Sequence, residues 1–350
     1  MKFNKKISNI SPCLSAFIGL TDKCNLNCRH CYSIKNNVNA KAKEISYKDV
    51  SKIADSLNKL GIFSVQLSGG EPLLRKDFLK ICNEFSKRGI SLLVNTNGML
   101  LNKKILLKLK KMNLSSLQIS LDSVDKKNLE YMRGKKGIHN KIINSIKLAK
   151  KVLGDKICIG CVLTSYNADD IENVAKFAKS NSIKLAFIPL LTTGRANKSI
   201  DLGIKEKLSL IKKIKNYPDI TLVVPPVFNK IFKIKNIYRY CSFPYHVAVM
   251  PNGDVFPCSG LRHVEKLKLG NINKTELGKI YSNSSLLNKL RSIKPKSLKG
   301  VCSNCVFKQE CMGGCRAAAY LAYNSFDMPD PICQNLYDIG KFPEKYLKKN

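Results

Sequence analysis

The sequence predicts an α/β fold, in which a partial, TIM-like (β/α)6 barrel of parallel strands is followed by a cysteine-rich C-terminal domain. Two observations predict it. Short apolar runs alternate with segments of helical periodicity up to about residue 215, and seven of the 14 cysteines follow residue 240. Alternating strand and helix signals are typical of parallel sheets that are covered by helices.

Each of the six predicted strands is a short, mostly apolar run. The strands occupy residues 15–21, 63–67, 91–94, 117–121, 157–163 and 185–188. Helices are predicted where apolar residues recur three and four positions apart, at residues 49–60, 78–88, 104–112, 140–152, 171–180 and 205–215. Right-handed crossovers lead to an open doubly wound sheet or to a full or partial barrel, and we predict the partial barrel.

The alternation ends near residue 236, where turns, cysteine and glycine become frequent. We therefore predict a barrel domain at residues 1–225, a connection at 226–237 and a second domain at 238–350. In either parallel architecture the ligand site lies at the C-terminal ends of the strands. Polar or glycine-containing segments follow the predicted strands at that end, at residues 22–31, 69–72, 95–98, 120–122 and 189–195.

The net charge of +36 comes from 61 Lys and Arg residues against 25 Asp and Glu residues. Only nine of the 61 are Arg, and the Lys residues are spread along the whole chain. A nucleic-acid-binding protein would concentrate this charge on one face and use Arg, so nucleic acid is not the expected partner, whereas an anionic substrate fits. No apolar run reaches the roughly 18 to 20 residues that span a bilayer, and no signal peptide is evident. We therefore expect no membrane span and a cytoplasmic location.

Three cysteines, Cys24, Cys28 and Cys31, have the spacing C-x3-C-x2-C in a loop directly after the first predicted strand. In a chain without signs of export, clustered cysteines indicate metal or redox chemistry. Thiolates at this spacing suit an iron–sulfur cluster, and three ligands for four irons leave one iron open. A zinc site that includes His30, or three unrelated thiols, are the alternatives.

The segment CNLNCRHCY at residues 24–32 resembles the cluster loop of the radical S-adenosylmethionine (radical SAM) superfamily, in which a ring residue, here His30, precedes the last cysteine. GGEP at residues 69–72 resembles the GGE motif of that family, and the resemblance extends over residues 14 to about 200. It implies a [4Fe–4S] cluster that binds S-adenosylmethionine and cleaves it reductively to a 5′-deoxyadenosyl radical, which abstracts hydrogen from the substrate. It also implies four catalytic residues, Cys24, Cys28, Cys31 and Glu71.

The same resemblance implies the residues that bind S-adenosylmethionine. They are Tyr32, Gly69, Gly70, Glu71, Pro72, Asn97, Ser120, Asp122 and Arg133. The segment 69–72 would meet the amino group, Ser120 and Asp122 would lie near the ribose or carboxylate, and Arg133 would pair with the carboxylate. Asn97 is a ribose candidate. Without a cofactor, the two glycines would form a simple turn, Asp122 would cap the next helix, and Arg133 would be a solvated surface residue.

The seven later cysteines follow the pattern C-x11-G-x4-C, then C-x2-C-x5-C-x3-C, then a final cysteine. This resembles the signature of the SPASM domain, which holds two auxiliary [4Fe–4S] clusters. The resemblance implies a distal cluster on Cys302, Cys305, Cys311 and Cys333, and a proximal cluster on Cys241, Cys258 and Cys315. The proximal cluster would keep an open iron or take a ligand such as Asp254. A zinc ribbon on Cys302, Cys305, Cys311 and Cys315 is the alternative, and it would leave three thiols unexplained.

Relatives of this type modify ribosomal peptides and protein side chains, and some act on tetrapyrroles or cofactor precursors. We predict hydrogen abstraction from a peptide or protein side chain in peptide or cofactor maturation. A tetrapyrrole side chain of the heme or siroheme type is the alternative, and a scaffold without catalysis is a third. Arg195 would hold a substrate carboxylate or cap the sheet. A reducing partner such as ferredoxin or flavodoxin is expected.

Overall fold

The computed structural model describes residues 14–35, 44–215, 217, 220–225, 227–232 and 243–348. Cys241, which was predicted to bind the proximal cluster, lies outside these ranges, as do part of the predicted connection 226–237 and residues 1–13. The predicted domain boundary stays a prediction.

Ten strands in the described ranges form one sheet. They are β1 (Ser15–Thr21), β2 (Ser64–Gly69), β3 (Ser91–Thr96), β4 (Leu114–Ser120), β5 (Ile157–Leu163), β6 (Lys184–Pro189), β7 (Ile220–Leu222), β8 (His246–Val249), β9 (Asp254–Phe256) and β10 (Gly270–Asn271). The strand order is β10-β9-β8-β1-β2-β3-β4-β5-β6-β7. Strands β1 to β7 run parallel to one another, β8 is parallel to β1, and β9 and β10 pair antiparallel.

The order of the parallel strands decides between the two predicted architectures. Each strand from β1 to β7 lies beside the next strand along the chain, without the reversal of order that defines a doubly wound sheet. Within the described residues β7 and β8 are not paired, so the sheet does not close. The predicted α/β class and partial barrel are confirmed.

Helices follow most of the strands and cover the sheet. They are α1 (Tyr47–Lys59), α2 (Phe78–Ser86), α3 (Lys103–Lys110), α4 (Lys126–Arg133), α5 (His139–Leu153), α6 (Ile171–Ser180), α7 (Ile204–Ile214), α8 (Val227–Phe232), α9 (Leu277–Asn283), α10 (Ser285–Arg291), α11 (Val301–Asn304), α12 (Lys308–Cys311), α13 (Arg316–Tyr323) and α14 (Pro331–Asp338). None of the helices in the described ranges has the length and apolar character that crossing a bilayer requires.

Helix α4, strand β7 and strand β4 differ from the prediction. Helix α4 was not predicted, because its eight residues are mostly polar and only Leu129, Met132 and Arg133 are buried. Strand β7 was not predicted either, since three residues are too short for a period of two to be recognised. Strand β4 begins at Leu114 rather than at residue 117 and ends at Ser120.

The C-terminal part of the chain extends the sheet of the barrel. Strand β8 pairs with β1, from Ser15 opposite His246 to Ile18 opposite Val249. Ser15 Oγ and His246 Nδ1 are 2.8 Å apart. Burial lowers the pKa of His246 to about 4, so its imidazole is neutral at pH 7. The C-terminal part of the chain is therefore joined to the strand that leads into the first cysteine loop.

Candidate active site at the first cysteine loop

Cys24, Cys28 and Cys31 lie half-buried in the loop after β1, and none of them forms a disulfide. Arg133 Nη1 is 3.8 Å from Cys28 Sγ, and Asn97 Nδ2 is 3.9 Å from Cys24 Sγ. Burial raises the pKa of the Cys24 thiol above its ordinary value and that of Cys28 to about 11. Without a metal these two thiols stay protonated, and a bound cluster would draw them into the thiolate form that coordinates iron.

The two glycines of the GGEP motif bring β2 into backbone contact with the cysteine loop. Gly70 donates its N–H to Thr21 O at 2.6 Å. A Cβ on Gly69, whose φ is +126°, would lie 2.4 Å from Thr21 O, and a Cβ on Gly70 would lie 2.2 Å from Lys23 O. Only glycine permits this approach, so the pair does more than turn the chain. Pro72 follows and is buried.

Glu71 fixes the ends of β2 and β3 against each other. Its fully buried carboxylate accepts hydrogen bonds from Leu73 N at 3.1 Å, from Thr96 Oγ1 at 2.7 Å and from Asn97 N at 2.8 Å. Asn97 then donates from Nδ2 to Asn25 Oδ1 at 2.7 Å, inside the cysteine loop. The side chain of Glu71 therefore organises the loop, while its predicted contact with S-adenosylmethionine stays a prediction.

A buried ion-pair network surrounds Cys28. Asp122 Oδ2 is 2.5 Å from Arg133 Nη2 and 3.2 Å from His30 Nε2, and Asp122 is fully buried. Burial raises the pKa of Asp122, but the Arg133 guanidinium and His30 outweigh it and hold that pKa well below its usual range. His30 Nδ1 and Arg133 Nε are buried without a hydrogen-bond partner among the described residues. Buried polar atoms without partners are uncommon, so these two nitrogens mark a place for a ligand.

Both cofactor-free alternatives for this network are wrong. Asp125, not Asp122, caps α4, since its side chain accepts from Asn128 N at 2.7 Å. Arg133 is only 6% exposed and is therefore not a solvated surface residue. Sequence analysis placed both residues after β4 but could not see that they pair with each other.

Helix α4 holds the middle of the cysteine loop from the side opposite β2. Asn27 N donates to Arg133 O at 3.0 Å, and Arg29 N donates to Met132 O at 2.9 Å. Gly134 ends the helix with a φ of +65°, and a Cβ there would lie 2.3 Å from Asn27 O. The loop thus passes between the end of β2 and the end of α4, and Cys28 lies between the two anchored residues.

Of the other predicted cofactor residues, Ser120 is half-buried at the end of β4. Tyr32 shares a hydrogen bond with Ser259 and lies close to Cys258, and burial raises the pKa of Tyr32 to about 12. The structure therefore places Tyr32 between the first cysteine loop and a predicted ligand of the proximal cluster. No contact in the structure tests its predicted role, or that of Ser120, toward S-adenosylmethionine.

A short C-terminal segment braces the cysteine loop. Arg262 donates from Nη2 to Asp22 Oδ1 at 2.8 Å and from Nη1 to Ser33 Oγ at 3.0 Å. His263 Nε2 is 3.2 Å from Tyr32 O. Sequence analysis missed these contacts because the partners are more than 220 residues apart and no local pattern marks them.

Four cysteines of the second group line one small cavity. Val227, Val301, Phe307 and Phe342 provide its apolar walls. The four cysteines are Cys302, Cys305, Cys311 and Cys333. This is the set predicted for the distal cluster, and soft thiolates in an apolar cavity suit iron–sulfur chemistry. Cys333 completes the set and Cys315 does not line the cavity, which contradicts the zinc-ribbon alternative.

The two described cysteines of the predicted proximal site, Cys258 and Cys315, each lie two residues before one member of a neighbouring pair, Gly260 and Ala317. A Cβ on Gly260 would lie 3.8 Å from Cys258 Sγ and 3.6 Å from Ala317 Cβ. Cys315 caps α13, since its Sγ accepts from Ala318 N at 3.4 Å. Because Cys241 lies outside the described residues, the ligand set of this site stays a prediction.

Asp254 has a different role from the one considered in the sequence. Its carboxylate accepts from Asn252 Nδ2 and Asn271 Nδ2, each at 2.8 Å, and lies 3.1 Å from Lys268 Nζ. Both oxygens are therefore used to hold the β9–β10 hairpin, so Asp254 is a poor candidate for an iron ligand.

The cysteines in the described ranges fit the iron–sulfur clusters that the sequence implies. Cys24, Cys28 and Cys31 would hold one [4Fe–4S] cluster with an iron open to S-adenosylmethionine, and the cage of four cysteines would hold another. The reduced cluster supplies the electron that cleaves S-adenosylmethionine. Within these ranges no three His, Cys, Asp or Glu side chains are arranged around a point as ligands of a single metal ion.

Known proteins are similar to this chain in sequence or in fold. An AdoMet-dependent heme synthase of Methanosarcina barkeri is 26% identical, over 92% of this chain and 96% of that protein. A PqqA peptide cyclase of Granulibacter bethesdensis is 23% identical, over 93% and 88%. The crystal structure of Streptococcus suis SuiB bound to S-adenosylmethionine has a TM-score of 0.74 at 23% identity and covers 94% of this chain and 79% of that one.

Family profiles match both halves of the chain. The radical SAM superfamily profile matches residues 18–178, and the iron–sulfur cluster-binding SPASM domain profile matches residues 241–306. These matches cover the first cysteine loop, the GGEP motif and the first four cysteines of the second group. The chain is therefore an enzyme of the radical SAM superfamily with a C-terminal SPASM domain, and its cofactors are [4Fe–4S] clusters and S-adenosylmethionine.

Proposed function

We propose that this enzyme is a maturase that abstracts hydrogen from a side chain of a peptide or protein. The observation that carries the proposal is a cavity of about 380 Å³ that opens beside the first cysteine loop. Most of the residues that line it are polar. They are Asn27, Arg29, Tyr166, Arg195, Asn197 and Ser199, together with Gly134 and Ile200. A polar cavity at the C-terminal ends of the strands suits a chain segment that carries its own hydrogen-bonding groups.

The lining favours a peptide over a tetrapyrrole. Small-molecule sites span about 300 to 1,000 Å³ and are mostly apolar and aromatic, and a macrocycle would need such walls on both faces. Only Tyr166 and Ile200 offer apolar surface here. The relatives named above include both a peptide cyclase and a heme synthase, so they do not decide between the two substrates.

The residues of this chain would bind and orient the cofactor. S-adenosylmethionine, when bound to the first cluster, supplies the hydrogen-abstracting radical. We infer that it contacts the segment 69–72, Asn97, Ser120 and Tyr32 near the open iron. The unpartnered nitrogens of His30 and Arg133 support this placement. The buried Asp122–Arg133 pair would keep the guanidinium fixed and exclude water from the reacting side.

Label transfer tests the proposal. The anaerobically reconstituted holoenzyme would be reduced with ferredoxin or flavodoxin, the donors that we propose for a reducing cytoplasm. It would be incubated with deuterated peptides encoded in neighbouring genes or with a deuterated siroheme or coproporphyrin. We expect deuterium in 5′-deoxyadenosine from a peptide, measured by mass spectrometry and absent with Cys28→Ser. Label that comes only from the tetrapyrrole would overturn the proposal.

A further inference from the structure

Two arginines differ from the others in what surrounds them. Eight of the nine arginines lie in the described residues, and four of these form ion pairs, namely Arg75, Arg88, Arg133 and Arg262. Arg291 and Arg316 donate instead to amide or backbone oxygens. Arg29 and Arg195 have no carboxylate within ion-pair distance among the described residues, and both line the 380 Å³ cavity.

Arg29 is held in place without being neutralised. Its Cζ lies 4.2 Å from the centre of the Tyr131 ring, and its Nε donates to Tyr131 O at 3.2 Å. The Tyr131 ring in turn packs edge-on against Tyr166, with centroids 5.1 Å apart. Stacking on an aromatic ring orients a guanidinium and leaves its two terminal NH2 groups for a ligand.

Arg195 is fixed directly against the first cysteine loop. Its N–H donates to Cys31 O at 2.8 Å. Gly194 makes this contact possible, since a Cβ there would lie 2.5 Å from Cys31 O, at a φ of +69°. Arg195 Nε is buried without a hydrogen-bond partner among the described residues. A buried guanidinium nitrogen without a partner is costly unless a ligand satisfies it.

Resting on the proposed function, we propose that Arg29 and Arg195 form a carboxylate-binding site that holds an acidic residue of the substrate peptide. Two guanidinium groups in one cavity repel each other until an anion lies between them, and the planar fork of Arg matches a carboxylate. The net charge of +36 attracts such a peptide from a distance. Because Arg195 is anchored to Cys31, an acidic residue bound here would present its neighbours to the first cluster.

Binding measurements on the reconstituted holoenzyme test this site. The probe is a fluorescein-labelled peptide of twelve residues, with alternating glycine and glutamate, compared with the same peptide containing glutamine. We expect the glutamate peptide to bind at least tenfold more tightly at 150 mM salt. Arg29→Gln and Arg195→Gln should each weaken it by about tenfold, a typical loss for one charge-assisted contact. Arg195→Lys should recover part of the loss.

The double variant Lys108→Gln/Lys110→Gln is the matched control, because it removes two positive charges from exposed positions on α3. It should bind the glutamate peptide within about twofold of the wild type. Iron content and cluster absorbance are measured for both arginine variants, and wild-type values show that they are folded. Unchanged binding in both arginine variants, or an equal loss in the lysine control, would overturn the site.

Failure of the site and failure of the proposed function give different results. If peptide deuterium reaches 5′-deoxyadenosine while both arginine variants bind the glutamate peptide normally, the carboxylate site is wrong and the peptide function stands. If only coproporphyrin binds, and Arg29→Gln and Arg195→Gln weaken it, the peptide function is wrong and the carboxylate site stands.

Discussion

The two cysteine regions differ in what surrounds their sulfur atoms. Around the first loop, His30, Arg133 and Arg195 each keep a buried nitrogen without a partner in the described residues. The cage around Cys302 has apolar walls, and none of its lining residues has such an atom. Charged groups beside the cage are satisfied by the protein itself, since Arg316 donates to the carbonyls of Phe326 and Met328 at 2.6 and 2.7 Å.

This difference separates a site that receives a ligand from a site that encloses one. Buried polar atoms without partners are uncommon, and several of them around one loop indicate that a ligand satisfies them. A cluster whose ligands all come from the protein needs no such atoms. The first loop therefore offers unpaired groups to a ligand, which fits the proposed S-adenosylmethionine site, whereas the lining of the cavity around Cys302 offers none.

The largest expected effect comes from removing one cysteine in each region. Cys28→Ser should reduce cleavage of S-adenosylmethionine by more than about 100-fold, because it removes a ligand of the cluster that binds it. Cys311→Ser should lose about four irons per chain and keep dithionite-driven cleavage within about threefold. Iron analysis and 5′-deoxyadenosine yield measure both. An equal loss of cleavage in the two variants would show that the two cysteine regions do not have different roles.

Breaking the buried ion pair of the first region should have the next largest effect. Asp122→Asn leaves the Arg133 guanidinium buried without its counter-charge, and we expect the free energy of unfolding to fall by about 3 to 5 kcal/mol. Asp122→Asn/Arg133→Gln should cost less than the sum of the two single changes. Anaerobic urea unfolding gives these values, and additive losses would show that the pair does not interact.

Removing the contacts of Arg262 with the first cysteine loop should have a smaller effect. Arg262→Gln removes the contacts with Asp22 and Ser33, which are worth about 1 to 2 kcal/mol, and should raise amide exchange in residues 22–33 by about tenfold. Arg291→Gln is the matched control, since Arg291 donates to Asn288 and to Tyr281 O, away from that loop. Hydrogen exchange measured by mass spectrometry is the readout. No change in residues 22–33 would show that the brace is unimportant.

The smallest expected effect is on the pH dependence of stability, and it comes from His246, where β8 pairs with β1. The pKa of His246 lies at about 4 in the folded protein against 6.5 in an unfolded chain, so the unfolded state binds the extra proton as the pH falls below 6.5. Stability from this group is complete above pH 6.5 and decreases toward pH 4. Between pH 7.5 and 5.5 the wild type should lose about 1 kcal/mol more than His246→Gln. If the free energies of unfolding of the wild type and of His246→Gln fell equally with pH, the prediction would be wrong.

The barrel could be predicted because its strands and helices have strong local patterns. Helix α1 shows this, since Ser46 and Asp49 form a capping box and Val50, Ile53 and Leu57 are buried on one face. Helix α4 escaped prediction because its sequence is mostly polar, and its position depends on contacts with the cysteine loop. Local periodicity cannot reveal an element that is stabilised mainly by a distant segment.

In the site, the cysteines and glycines could be predicted because their spacing is itself the signal. The two glycines proved to be required, since a Cβ on either would lie 2.4 or 2.2 Å from a backbone oxygen of the neighbouring segment. The pairing of Asp122 with Arg133 and the brace from Arg262 could not be predicted, since charged residues are frequent and their partners are set by the fold. The apolar cavity that unites Cys333 with Cys302 likewise depends on how α14 packs against α11.

The attachment of the cysteine loop to α4 has a consequence for damage by oxygen. Asn27 and Arg29, on either side of Cys28, are held by hydrogen bonds that involve no sulfur or iron. If oxidation removes the first cluster, we expect these hydrogen bonds to keep the loop in place and the three thiols near one another. Repair would then require only iron and sulfide, because the loop that binds them would not have to refold.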